Sequence, residues 1–110
     1  MQTEAVLTVL GDPTRQALLH LLRRGPMPVG ELASRLPVTR PAVSQHLRKL
    51  KHARLVRERR EGVHHYFSLD PVGFAALRQY VDSMWHDALT AFASYVSQQV
   101  AKKPTPRRGR

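Results

Sequence analysis

The sequence predicts a mainly α fold that carries one two-stranded β-hairpin, in a chain of 110 residues. Apolar residues recur at helical spacing in five segments of the chain. The spacing changes to the alternation typical of strands only between residues 55 and 69. We therefore expect four helices, a hairpin and one long final helix, within a single domain over residues 1–100.

Breaker residues separate the first two helices. Residues 4–10 form a short apolar segment, and Gly11 ends it. Asp12 and Pro13 then supply the N-cap and the first-turn proline of a second helix. Residues 23–26 end this helix with two arginines, a glycine and a proline, and its predicted core stripe is Ala17, Leu18, Leu21 and Leu22.

The next two helices follow each other closely. The apolar positions of residues 29–36 predict a short helix, and residues 36–39 form a tight connection. Thr39 is the candidate N-cap of the following helix, which begins near Arg40 with Pro41 in its first turn. The predicted apolar side of this helix is Val43, Leu47, Leu50 and Arg54. The arrangement predicts a helix-turn-helix, and a helical hairpin that only packs is the alternative.

The other side of the same helix is cationic and rich in hydrogen-bonding groups, as a DNA major groove requires. Its residues are Pro41, Gln45, Arg48, Lys49 and His52, flanked by Ser44. The formal net charge of the chain is +10, and residues 35–60 hold nine Lys or Arg against one acid, Glu58. Such a basic segment indicates a polyanionic partner, either nucleic acid or an anionic membrane surface.

Residues 55–60 and 63–69 are β-compatible runs separated by residues 61–62, which predicts a hairpin. Arg59 and Arg60 are expected near its exposed tip. A basic hairpin directly after a DNA-reading helix is a wing, which can reach phosphates or the minor groove. The predicted fold is therefore a winged helix-turn-helix, and the apolar face of the wing is Val63, His65, Phe67 and Leu69.

The final helix is predicted from Val72 to Val100, after a cap and a proline at residues 70–71. It carries more apolar surface than one small domain can cover, and a second copy of the chain is the expected cover. We therefore predict a homodimer through the first and last helices. A dimer presents two recognition helices roughly 34 Å apart, which suits a palindromic DNA site. The apolar positions are Phe74, Leu77, Tyr80, Val81, Met84, Trp85, Ala88, Leu89, Phe92, Tyr95, Val96 and Val100.

The motifs between residues 4 and 100 resemble those of the ArsR/SmtB-type winged helix-turn-helix repressors of bacteria. The resemblance implies a homodimer with a helical core and a β-wing, which represses its own operon until an inducer binds. The matching motifs are LGDPTR at 10–15, VGELA at 29–33, PAVSQHL at 41–47, LKHARLV at 50–56 and EG at 61–62.

By the same resemblance, the cysteines of metal-sensing members fall on Pro28 and Gly30, which cannot ligate a metal. The last helix lacks the histidine spacing of zinc-sensing members, although it offers Asp82, His86 and Asp87. We therefore expect no metal and no cofactor. The inducer is unknown, and three possibilities stay open: an organic molecule, a protein partner, or autoregulation without a ligand.

The expected DNA contacts combine this resemblance with side-chain chemistry. Ser44 and Gln45 are the expected base readers. The remaining residues of the helix, expected at phosphates or, for an arginine, at guanine, are Thr39, Arg40, Arg48 and Lys49, with Pro41 beside them. The wing contributes Arg59, Arg60 and His64.

Other function classes are disfavoured. The chain has no cysteine, no glycine-rich phosphate loop and no paired-carboxylate motif, so we expect no enzyme activity. It lacks a membrane-length apolar run and signal-peptide features, so we expect a cytoplasmic protein. Residues 101–110 are expected to form a basic disordered tail, which is either a solubilising end or a phosphate-binding arm.

The predicted function is sequence-specific binding of double-stranded DNA by an autoregulatory repressor. Two other classes stay open. A nucleoid-type architectural protein would use the same basic surface without discriminating sequence. A protein-interaction module would place its recognition helix on a partner protein. The operator sequence, the regulated genes and the sign of regulation are not contained in the sequence.

Overall fold

The computed structural model describes the backbone of residues 2–102 and the side chains of residues 4–101. This part of the chain divides into two compact units, one up to Arg78 and one from Gln79. The predicted mainly α fold with a hairpin is confirmed. The described elements are α1 (Gln2–Val9), α2 (Pro13–Leu22), β1 (Met27–Pro28), α3 (Val29–Ser34), α4 (Arg40–His52), β2 (Val56–Glu61), β3 (His64–Leu69) and α5 (Pro71–Lys102).

The start of α2 follows the predicted cap. The Asp12 carboxylate accepts hydrogen bonds from the amides of Thr14 at 2.8 Å and Arg15 at 3.0 Å. The bond from the Arg15 amide is the main cause that lowers the pKa of Asp12 below its ordinary value, and it favours the charged cap. Pro13 occupies the first turn, where its missing N–H leaves no bond unmade.

The core of the first unit lies between α1–α4 and the sheet, and Phe74 and Leu77 of α5 pack against it. Of the predicted core stripe of α2, Leu18 and Leu22 are buried, Leu21 is half-buried and packs against the core, and Ala17 is only half-buried. The buried stripe of α2 is Arg15, Leu18, Leu19 and Leu22, and its 3–4 spacing includes an arginine that a search for apolar residues passes over. The buried apolar residues are Val6, Val9, Leu18, Leu19, Leu22, Met27, Leu32, Val43, Leu47, Leu50, Ala53, Leu55 and Val56.

The predicted place of Arg54 on the apolar side of α4 was also wrong. The helix ends at His52, and Arg54 is exposed with a backbone φ of 62°. This left-handed conformation turns the chain out of the helix and into β2. Val43, Leu47 and Leu50 remain as the buried side of α4.

The sheet has three strands, in the order β1-β3-β2, and both pairings are antiparallel. The predicted two-stranded hairpin is β2–β3, and the additional strand β1 pairs Met27 with Phe67. The loop is one residue later than predicted, because Gly62 takes a φ of 61° as the first of two loop residues. Val63 is therefore 86% exposed in the loop and does not belong to the apolar face.

α5 begins one residue before its predicted start and continues to Lys102. The buried Asp70 precedes it, and its Oδ1 accepts a hydrogen bond from the Val72 amide at 3.0 Å. In the second unit, the exposed large apolar residues are Tyr80, Val81, Met84, Trp85, Leu89, Phe92, Tyr95, Val96 and Val100. No helix in the described part of the chain combines the length and the apolar character that crossing a membrane needs.

The predicted division of the chain stays a prediction. Ala101 and Lys102, the first residues of the predicted tail, continue α5. Residues 103–110 of that tail lie outside the described residues.

Candidate nucleic-acid interface

α4 has one side in the core and the opposite side in solvent. Thr39 caps it as predicted, because its Oγ1 accepts a hydrogen bond from the Ala42 amide at 3.3 Å. Ser44 is half-buried at the edge of the solvent side. The other predicted contact residues of this region are all exposed: Thr39, Arg40, Pro41, Gln45, Arg48 and Lys49.

The wing, formed by β2 and β3, exposes the remaining predicted residues, Arg59, Arg60 and His64. Arg59 lies opposite Tyr66 in the strand register, and its guanidinium carbon is 5.9 Å from the centre of the Tyr66 ring. Its Nη2 atom is also 3.5 Å from the Glu61 carboxylate. Both contacts lie on the exposed surface of the wing.

A concave surface, which encloses a volume of about 330 Å³, joins α4 to the wing. Arg40 and Ser44 line it from α4 and His64 lines it from β3, so three predicted residues from two elements come together. Arg40 also lies against α3, since its Nη1 atom is 3.5 Å from the point where a Cβ of Gly30 would stand. One surface therefore combines the start of α4, the start of α3 and the wing.

A second concavity, of about 210 Å³, lies beside the first. Ser44, Arg48 and Lys51 line it from α4, where their spacing of four and three residues puts them on one helical face. Glu58 of β2 and Phe67 of β3 form the opposite wall. The structure thus adds Lys51 and Glu58 to the surface that the sequence predicted.

Glu58, on β2 of the wing, connects α4 to the other strand of the wing. Its Oε1 accepts a hydrogen bond from Lys51 Nζ at 3.0 Å, and its Oε2 is paired with His65 Nδ1. The hydrogen bonds from His65 and then from Lys51 hold the pKa of Glu58 below its ordinary value, so the carboxylate is charged at neutral pH. Glu58 stands out in the sequence as the one acid of a basic segment, but its partners depend on the strand register.

Lys49 lies in another part of the surface. It lines a groove of about 420 Å³ between α1 and the C-terminal half of α4. Glu4 and Thr8 line the same groove from α1, and His52 lines it from the end of α4. The predicted contact residues of α4 therefore spread over more than one face of the helix.

The described residues contain no group of three or more His, Asp or Glu side chains that is arranged to hold a metal ion. Within the wing, His65 pairs with Glu58, whereas His64 is exposed and its ring centre is 6.1 Å from that of Tyr66. The two adjacent histidines thus have different partners, as expected for successive residues of a strand.

Comparison with known proteins assigns this architecture. The family described as "Helix-turn-helix domain" matches residues 10–59. The HTH-type transcriptional regulator Rv2034 of Mycobacterium tuberculosis is 51% identical over 90 residues, which are 82% of this chain and 84% of that protein. The arsenic resistance transcriptional regulator ArsR1 of Pseudomonas putida is 32% identical over 93 residues, which are 84% of this chain and 70% of that protein.

Solved structures agree with these sequence matches. An ArsR-like transcriptional regulator from Rhodococcus sp. RHA1 superposes with a TM-score of 0.78 at 25% identity, covering 91% of this chain and 92% of that one. These matches cover more of the chain than the helix-turn-helix of residues 10–59. The chain belongs to the ArsR family of winged helix-turn-helix transcriptional regulators.

Proposed function

We propose that this protein is a repressor that binds a palindromic site in double-stranded DNA as a homodimer. The observation that carries the proposal is the concave surface on which Arg40 and Ser44 of α4 meet His64 of the wing. A helix and a basic hairpin side by side can contact the major groove and the flanking backbone together. Residues 35–60 contain nine Lys or Arg and one acid, and this positive charge supplies the attraction to phosphates.

The predicted contact residues, which lie on this surface and on neighbouring faces of α4, have separate roles in the proposal. Ser44 and Gln45 read base edges, since a hydroxyl and an amide can match their hydrogen-bonding patterns. Thr39, Arg40, Arg48 and Lys49 hold phosphates or, for an arginine, a guanine, and Pro41 lies beside them. Arg59, Arg60 and His64 contact the backbone or the minor groove from the wing.

The proposal extends to the assembly and its regulation. The exposed apolar side chains of residues 79–102 favour a second copy of the chain as their cover, together with α1. Such a dimer acts on the chromosome in the cytoplasm, represses its own promoter and catalyses no reaction. No inducer is assigned, and neither a metal nor a membrane is part of the proposal.

The first test is a titration of labelled duplex from upstream of the protein's own gene, at fixed salt and with excess random competitor. We expect binding at nanomolar protein and a footprint with two-fold symmetry. Complete loss of binding to the competitor would contradict site-specific repression at this promoter. A specificity ratio near one on all duplexes would instead favour the architectural class.

A pair of substitutions tests the division of roles. Q45A should relax the sequence preference by about 1–3 kcal/mol at one base position. K49A should weaken binding to all duplexes alike and reduce the slope of log affinity against log salt by about 0.9. Salt-dependent titrations on the operator and on random duplex measure both effects. Identical behaviour of the two variants would contradict the assigned roles.

A further inference from the structure

Glu58 is an acid placed in a surface that otherwise attracts polyanions. Its side chain is 20% exposed, and each of its carboxylate oxygens has a different partner. One oxygen binds Lys51 at the end of α4, and the other binds His65 on β3. Through this side chain, α4 and both strands of the wing are connected.

The ion pair changes what Lys51 can do. Lys51 shares a helical face and a concavity with Ser44 and Arg48, so its ammonium group is placed where DNA is proposed to bind. Its Nζ atom lies 3.0 Å from the Glu58 carboxylate, and the two side chains together carry no net charge. A phosphate that approaches this position meets a cation that already has an anionic partner.

We propose that Glu58 is a specificity-determining positioning residue, which withholds Lys51 from DNA phosphates and holds the wing against α4. The inference rests on the proposed DNA binding. A random duplex can dock in any register, so a released Lys51 would always reach a phosphate. On the operator, base contacts set the register, and affinity depends on a wing that is already in place.

The test compares E58Q with the wild type on operator and random duplexes over a series of salt concentrations. Glutamine has nearly the same shape and keeps hydrogen-bonding capacity, but it has no charge to hold Lys51. For random duplex, the salt slope should become steeper by about 0.9, which is roughly a five-fold gain in affinity at 0.15 M salt. The ratio of operator affinity to random affinity should fall by a similar factor.

E61Q is the matched control. It makes the same charge change on the same strand, but Glu61 is 60% exposed and pairs with an exposed Arg59 at 3.5 Å. Such an exposed pair is weak, so Arg59 is available to DNA in the wild type already. E61Q should leave the specificity ratio unchanged. If E61Q had the same effect as E58Q, the effect would come from the change in net charge and not from the contacts of Glu58, which would contradict the inference.

K51Q gives a second measurement that does not depend on the folding of E58Q. Lys51 is about half exposed. Its loss from the wild type should leave the salt slope on random duplex unchanged, because a withheld cation neutralises no phosphate, although the uncovered Glu58 carboxylate lowers the affinity itself. In the E58Q background, K51Q should cancel the steeper slope. A salt slope that falls by about 0.9 in K51Q, or one that stays steeper in the double variant, would overturn the inference.

The outcomes separate this inference from the proposed function. A wild-type protein that binds no duplex overturns both. A wild-type protein that discriminates its operator, together with an E58Q variant of unchanged slope and ratio, overturns only the assignment of Glu58.

Discussion

Arg15 is the residue that connects three helices of the first unit. Its side chain is buried, with 9% exposure, and its Nε donates to the carbonyl of Val9 at 2.7 Å. Its Nη1 lies 3.2 Å from Nδ1 of His46 on α4. A guanidinium group can only donate, so Nδ1 of His46 is the acceptor in this contact. The end of α1 and helix α4 are thus both bound by one α2 side chain.

We predict that R15K destabilises the protein by roughly 1.5–3 kcal/mol, the range for hydrogen bonds that involve a charged group. Lysine carries a single ammonium group and cannot reproduce the planar fork that reaches two acceptors in different helices. Urea-induced unfolding measures the loss. R23K is the control, since Arg23 is exposed and lies 3.4 Å from Nδ1 of the exposed His20. Equal losses in both variants would contradict the structural role of Arg15.

The roles of some of these residues could be predicted from the sequence, and those of others could not. Asp12 was predicted as a cap because a short polar side chain directly before a proline is a local sequence signal for the start of a helix. The burial of Arg15 could not be predicted in the same way, since it depends on acceptors six and 31 residues away. Glu58 is a similar case, because its two bonds need both the end of α4 and the register of the wing.

At the scale of elements, the turn from α4 to β2 is joined to the first turn of α5. The carbonyl of Arg54, in its left-handed conformation, accepts a hydrogen bond from the Gly73 amide at 2.7 Å. The carbonyl of Leu55 accepts one from the Asp70 amide at 2.9 Å. A Cβ at Gly73 would lie 2.4 Å from the Arg54 carbonyl oxygen, which is closer than real Cβ contacts come.

We predict that G73A destabilises the protein by at least about 2 kcal/mol, because the added methyl group meets backbone atoms that cannot move independently. The sign is informative, since Gly to Ala inside a helix ordinarily stabilises by about 1 kcal/mol. Thermal and urea unfolding provide the measurement. G11A is the control: its Cβ would lie at an ordinary 3.5 Å from the Thr8 carbonyl oxygen. A stabilised G73A variant would contradict the tight junction.

The elements differ in how far the sequence could predict them. Caps and apolar spacing predicted α2, α4 and α5 to within about two residues, because those signals are local. β1 has two residues, one of them a proline, and exists through its pairing with β3, so it left no local pattern. For the interface, the sequence indicated the cationic helix and wing, but not the concavity between them, which requires the packed structure.

At the scale of the whole molecule, two surface properties lie in different parts of the chain. The basic residues are concentrated between residues 35 and 60, in the first unit. The large exposed apolar residues are concentrated in residues 79–102, the described part of the second unit. Phe92 and Trp85 are both mainly exposed and seven residues apart, so they share one side of α5. A second copy that covers this side would bury both rings.

We predict that F92E converts the dimer to a monomer, because a buried unpaired charge costs at least about 3 kcal/mol, or over 100-fold in the dissociation constant. Trp85 is the only tryptophan and reports the change directly. Its emission should shift to the red in F92E at all concentrations, and in the wild type only on dilution, in parallel with sedimentation velocity. V63E is the control, since Val63 is an exposed apolar residue on the wing. A variant F92E that still sediments as a dimer, with unchanged Trp85 emission, would contradict an interface on this side of α5.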